Sequence, residues 1–155
     1  MPRHKVPLNK EVIQTRISYI EDSLKSLGRF KGISYKEFHS NSDNFRIAFY
    51  DLHRALEAVM EIGSHILSRI PGARPTSYKD IPRLLEKHKI IPADSATSQL
   101  EKMAGYRNRM VHFYGEITEE EIYGIIQEEL EDFYKFLAHI NEILRTPEKY
   151  NLLVE

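Results

Sequence analysis

The sequence contains no cysteine. That absence excludes a disulfide framework, a Cys-ligated zinc site, an iron–sulfur cluster and a thiol nucleophile. No run approaches the roughly 18 apolar residues that cross a bilayer, so no membrane span is expected. Residues 1–10 lack the apolar core of a secretory signal, and a cytoplasmic soluble protein is the expectation. No stretch alternates apolar and polar residues with period two, so no sheet is expected. There is no glycine-rich phosphate loop and no recognisable Ser or Asp nucleophile pattern. Histidines stand at 4, 39, 53, 65, 88, 112 and 139, and none forms an H-x-x-x-H pair. Neither a metal site nor a cofactor is therefore expected.

What is present fits one domain. The chain has 155 residues, 41% of them hydrophobic and 29% charged, enough for a single self-supporting core. The net charge is −1, which excludes a uniformly basic polyanion binder. The total conceals an asymmetry. Residues 1–54 carry 10 Lys/Arg against 6 Asp/Glu, residues 55–115 carry 9 against 6, and residues 116–155 carry 3 against 11. Basic surface from the first three-quarters is available to meet a polyanion. The alternative is that an acidic last helix pairs with basic neighbours in the same bundle.

Helical periodicity runs through nearly the whole chain. Ile13, Ile17, Ile20, Leu24 and Leu27 share one helix stripe, with Asn9 placed to cap it and Gly28 to end it. Residues 28–42 read as a connection in which Tyr35 and Phe38 can form a helical turn. A long helix follows from about Asp43 to about Ile70. Its stripe is Phe45, Phe49, Leu52, Leu56, Val59, Ile66 and Ile70, with Gly63 at a close-approach position. After Pro71-Gly72, Ser77 is placed to cap a short helix carrying Tyr78, Ile81, Leu84 and Leu85, with Pro82 in its first turns. Pro92 and Asp94 open a fourth helix with Leu100, Met103, Ala104, Met110 and Val111, ending near Gly115. Thr118 with Glu121 forms a capping box for an acidic last helix. Its stripe is Ile126, Leu130, Phe133, Leu137, Ile140 and Leu144, closed by Pro147. The expected architecture is an all-α up-and-down bundle over residues 9–146, with tails at 1–8 and 147–155.

The densest group of chemically capable side chains is Tyr106-Arg107-Asn108-Arg109-Met110-Val111-His112-Phe113-Tyr114-Gly115. An arginine brings a permanent charge and a planar fork of donors that suits phosphate oxygens. A histidine moves protons near neutral pH. Together they can cleave RNA without metal, through attack of the ribose 2′-OH on the adjacent phosphorus. Spacing alone leaves a plainer reading open, with Arg107 and Arg109 in surface ion pairs and His112 at a helix C-cap. Residues five apart on a straight helix are rotated by roughly 140° and separated by about 7.5 Å. Arg107 and His112 therefore converge only where the helix ends, or across a two-fold axis. His112 in a last helical turn favours its protonated form, which suits a general acid.

Arg107 through Tyr114 matches R-x-x-x-x-H-x-Y, and at this point the chain resembles the HepT-like toxins of the HEPN superfamily. The likeness extends over roughly residues 9–145. It includes the long helix with its Glu61-Ile62-Gly63-Ser64-His65-Ile66 segment, the Met103-Ala104-Gly105-Tyr106 approach and the acidic final helix. The resemblance implies a dimeric bundle of four to five helices in which Arg107 and His112 of both subunits line a shared cleft. It implies a metal-independent endoribonuclease, the toxin of a type VII-like toxin–antitoxin pair, with RNA as substrate. It implies an MntA-like nucleotidyltransferase antitoxin that transfers AMP from ATP to the motif tyrosine, here Tyr114. Asn108 matches a supporting polar position of the motif. Phe113 departs from the acidic or polar residue often found there, which bears on contacts around Tyr114.

Two further classes compete with this reading. One is a non-catalytic interaction or substrate-binding partner of a nucleotidyltransferase. The other is a nucleotide-binding dimer with no RNA substrate. The trio of Arg, His and Tyr favours the enzyme, because a scaffold has no chemical need for it. Other candidates read as structure: His53, His65, Arg46 and Arg54 as polar-face residues of the long helix, and Tyr19, Tyr50 and Tyr123 as packing residues with a wet hydroxyl.

Overall fold

The computed structural model describes residues 5–112 and 117–155, without the side chains of Ser95 and His112. Among the described residues there are seven α-helices and no strand beyond one isolated bridge. The helices are α1 (Lys10–Leu27), α2 (Tyr35–Ser40), α3 (Ser42–Leu67), α4 (Asp80–Lys87), α5 (Ser95–His112), α6 (Glu119–Glu128) and α7 (Leu130–Arg145). None of them is long and apolar enough to cross a membrane.

α1 forms where its stripe and caps require. The Asn9 side chain accepts from the Val12 amide, and Ile13, Ile17, Ile20, Leu24 and Leu27 are all buried. α1 packs antiparallel on α3. Asn9 meets His65 near the C-terminal end of α3, Arg16 meets Glu61, and Tyr19 lies under Arg54 nearer its start. α3 is the central element and also touches α2, α4, α5 and α6. Its inner positions Leu52, Leu56, Val59 and Ile66 are buried, as the periodicity requires. Each such side chain contributes about 1.5–3 kcal/mol of burial. Phe45 and Phe49, nearer the start of α3, are only half-buried.

Several local expectations need correction. α3 ends at Leu67 rather than near Ile70, because the chain already turns at Ser68 ahead of Pro71-Gly72. The Ser77 side chain does not cap α4; instead the Asp80 carboxylate accepts from both the amide and the hydroxyl of Thr76. Tyr78 consequently precedes α4 rather than lying on it. The expected single last helix is two, broken at Glu129, which leaves helical geometry at φ −121°, ψ 2°. Glu129 falls four residues after buried Ile125, at an inward position where a carboxylate needs partners. It takes them from Lys102 at 2.8 Å and Tyr106 at 2.9 Å, both on α5. On α7 the buried residue near the end is Ile143, with Leu144 at the margin. Val111 and Tyr50 face outward, Tyr50 at 62% exposure, so neither packs in the core.

The flanking segments pair with each other. Leu8 exchanges backbone hydrogen bonds with Leu153 and Glu155, and both Leu8 and Leu152 are buried. The connection between α1 and α3 is pinned to α6. Gln127 accepts from the Gly32 amide and donates to the Phe30 carbonyl, and Tyr123 donates to the Ile33 carbonyl. Gly32 holds φ +87°, a left-handed turn that a side chain would strain.

Gly63 lets α4 approach α3. A Cβ placed there would lie 2.6 Å from Cγ2 of Ile81, itself a buried, branched side chain. Gly63→Ala should therefore destabilise the fold by about 1–3 kcal/mol despite the gain in helix propensity. Chemical denaturation checks this; a variant as stable as the parent would show that the α3–α4 contact yields freely.

Candidate functional site

α5 carries Arg107, Asn108 and, as its last residue, His112 of the R-x-x-x-x-H-x-Y segment, and its polar side chains tie it to α3, to α6 and to the α6–α7 break. Lys102 and Tyr106, one turn apart, reach Glu129 at the α6–α7 break. Arg109 makes a two-pronged pair with Glu121, at 2.7 and 2.8 Å. Glu121 is itself held at the start of α6, where its amide donates to the Thr118 hydroxyl as the capping box requires. Arg109 is thus a staple between the end of α5 and the start of α6, the ion-pair role left open for it by spacing.

Arg107 points to a different neighbour. Its Nε donates to Glu57 of α3 at 2.8 Å, and a second guanidinium nitrogen lies 3.5 Å from the other carboxylate oxygen. Nη1 donates to the Asn108 side-chain oxygen at 3.3 Å. The guanidinium carbon sits 4.2 Å from the ring centre of Tyr78, a cation–π contact. The Tyr78 hydroxyl in turn donates to Glu57 at 2.7 Å. These contacts engage three of the five N–H groups of a guanidinium. Among the described residues, the other two are left to meet an anion.

The electrostatics follow from this geometry. Burial alone would push the Glu57 carboxyl up, but the hydrogen bonds from Arg107 and Tyr78 outweigh it and hold the group below its ordinary value of 4.5. Burial, then the hydrogen bond to Glu57, pushes the Tyr78 hydroxyl up to about 12. Tyr78 therefore stays protonated as a donor at neutral pH. His53, one turn before Glu57 on α3, approaches the same carboxylate at 3.9 Å. Its ring stacks on Phe49.

The structure brings Arg107 and Asn108 together. It places His112 as the last residue of α5, but its side chain lies outside the described residues, as does Tyr114 altogether. Glu57 and Tyr78 were missed in the sequence. Glu57 borders a helix stripe like many solvated glutamates, and Tyr78 read as an apolar face. Only α3–α5 packing assigns them to Arg107. Among the described residues no group of three or more His, Asp or Glu is placed to hold a metal ion.

The model of the Ribonuclease HepT-like family matches residues 20–140. The chain is similar to the tRNA nuclease HepT of Aphanizomenon flos-aquae, 29% identical over 142 residues, spanning 90% of this chain and 95% of the relative. It is similar to the mRNA nuclease HepT of Shewanella oneidensis, 28% identical over 129 residues, spanning 82% and 94%. Among solved structures, a tri-AMPylated HEPN toxin of Shewanella oneidensis in complex with its MNT antitoxin matches with a TM-score of 0.76. Its identity is 27%, and the match spans 86% of this chain and 98% of that one.

Removing Arg107 leaves Glu57 with a partly buried charge and fewer donors. Arg107→Ala should cost about 1–3 kcal/mol at pH 7. The Glu57 carboxyl is depressed in the fold, so its contribution is full above 4.5 and is lost as pH falls through the lower folded value. The difference between parent and variant should accordingly narrow below pH 4.5. Thermal melts of both proteins across that range provide the measurement, and a difference independent of pH would mean that Glu57 is not the partner that matters.

Proposed function

The chain belongs to the HepT-like ribonuclease family, and we propose that it is a toxin endoribonuclease that cleaves RNA without metal at a dimer cleft built on Arg107 and His112. The observation that carries the reading is the state of Arg107. It is fixed on one side by Glu57, Tyr78 and Asn108, with donors left over. A guanidinium already oriented stabilises a developing phosphorane without reorganising at the moment of reaction. In the proposed step the ribose 2′-oxygen attacks the adjacent phosphorus as its proton passes to solvent water. The bond to the 5′-oxygen breaks, and His112 supplies the proton to that leaving oxygen. The products are a 2′,3′-cyclic phosphate and a 5′-hydroxyl. His112 stands at the C-terminal end of α5, where the helix dipole favours the imidazolium that an acid needs.

The second part of the proposal concerns control. The solved relative is an AMP-modified toxin held by its antitoxin, and that supports an MntA-like nucleotidyltransferase as partner here. Tyr114 is the proposed acceptor. Its hydroxyl attacks the α-phosphorus of ATP, pyrophosphate leaves, and the new phosphodiester carries a negative charge two residues from His112. That group would compete with the RNA phosphate for Arg107, by bulk and by charge.

Purified protein should cleave RNA in the presence of EDTA and leave cyclic phosphate ends. His112→Ala should reduce the rate by roughly 10²–10⁴-fold, and Arg107→Ala by roughly 10²–10³-fold, each with a folded dimer by light scattering. Arg109→Ala should lose far less activity. Cleavage that needs added divalent metal would contradict the mechanism. No cleavage at all, with intact binding to a nucleotidyltransferase, would point to the non-catalytic module instead.

Incubation with the partner nucleotidyltransferase, ATP and Mg²⁺ should add AMP mass to the peptide holding Tyr114 and silence the nuclease. Tyr114→Phe should escape both effects. If mass spectrometry finds the same modification on the Phe variant, the acceptor is another residue.

A further inference from the structure

From Tyr78 the surface continues away from Arg107 along one face of α3. Tyr78 lines a hollow of about 290 Å³ between α1 and α3 that also includes Arg16, Glu61, Ser64 and Ser68. Ser64 and Ser68 pass directly into a second hollow of about 500 Å³, bordered by Lys5, Arg69 and Arg74. The two hollows share these serines and form one trough. Glu57, Glu61, Ser64 and Ser68 recur at helical spacing on α3, so the floor from the Arg107 level to Ser68 is about 16 Å long. That length matches roughly five stacked nucleotides at about 3.4 Å each.

The charge along the trough is predominantly positive. Arg16, Arg69, Arg74 and Lys5 line it, and the two carboxylates on its floor are already paired, Glu61 with Arg16 and Glu57 with Arg107. Arg69 is held in place by the Pro7 carbonyl at 3.1 Å and the Ser68 hydroxyl at 2.8 Å. His65 on the floor accepts from the Asn9 amide at 3.0 Å. Burial, then the charges of Arg69 and Arg16, keep it below its ordinary value of 6.5. The 11 acidic residues after position 115 contribute none of the lining.

We propose that this trough binds the sugar–phosphate backbone of the RNA strand that extends from the Arg107 site, with Lys5, Arg69 and Arg74 as the distal phosphate contacts. The inference rests on the ribonuclease reading and adds to it a substrate path. It assigns affinity for single-stranded RNA of several nucleotides to residues outside the R-x-x-x-x-H-x-Y segment. Cations along the rim of the trough, Arg69 among them held in place, position the backbone without reading bases.

The test measures binding of a 20-nucleotide 2′-O-methyl RNA, which lacks the attacking hydroxyl, by fluorescence anisotropy across salt concentrations. Lys5→Glu/Arg74→Glu reverses two exposed charges in the trough. Lys25→Glu/Lys36→Glu makes the same change in net charge at exposed sites elsewhere. The trough variant should bind roughly tenfold more weakly, with a salt slope reduced by about 1.4, or about 0.7 per lost phosphate contact. The control should bind within about twofold of the parent. Equal binding by all three proteins would overturn the trough while leaving RNA cleavage by the parent intact. So would loss of the nucleotidyltransferase partner without loss of RNA, which would mark a protein-docking surface. Conversely, a parent that never cleaves RNA yet loses the oligonucleotide in the trough variant would remove the ribonuclease reading and keep the trough.

Discussion

A carboxylate and a guanidinium, both largely withdrawn from water, join α3 to α5 through Glu57 and Arg107. Neither group is at ease there alone, since leaving one unpaired costs about 1–3 kcal/mol. Their meeting therefore constrains both helices. α3 must turn Glu57 toward α5, and α5 must rotate so that Arg107 faces α3. Once α5 is so rotated, Lys102, Tyr106 and Arg109 fall on another face and reach Glu129 and Glu121. The acidic final quarter of the chain is thus partly consumed by the basic side chains of α5, as one of the two readings of the charge asymmetry required.

The same pairing leaves Arg107 with donors to spare, so a structural ion pair is compatible with the catalytic role proposed for that residue. Glu57 takes Nε and approaches one terminal nitrogen, while Tyr78 supports the guanidinium from its ring face. Holding Arg107 in this way lowers the entropy lost when an anion arrives. It also separates the roles of the two arginines in the motif. Arg109 gives both terminal nitrogens to Glu121 and serves the α5–α6 junction.

Family membership and site geometry contribute different things. The family match and the nuclease relatives bear on the class of chemistry, because a helical bundle alone is compatible with many functions. The geometry bears on which atoms are positioned and which are spent. The basic trough beyond Tyr78 belongs wholly to the second kind of information. Its residues come from the N-terminal segment, α1, α3 and the loop after it.

Sequence patterns determined the all-α class, the stripe and caps of α1, the long central helix, the close approach at Gly63 and the Thr118–Glu121 capping box. These are local or periodic signals, written within a few turns of chain. Arg107, Asn108, His112 and Tyr114 were legible as a motif for the same reason. The break at Glu129 was not legible, because the hydrophobic stripe runs unbroken through it and the donors that draw its carboxylate lie on α5. The outward positions of Tyr50 and Val111 and the partners Glu57 and Tyr78 were hidden likewise. Glu57 and Arg107 stand 50 residues apart in sequence, and no local propensity connects them. Tertiary packing alone decided that pairing, because the desolvation that makes it obligatory exists only once α3, α5 and the Tyr78 turn exclude water together.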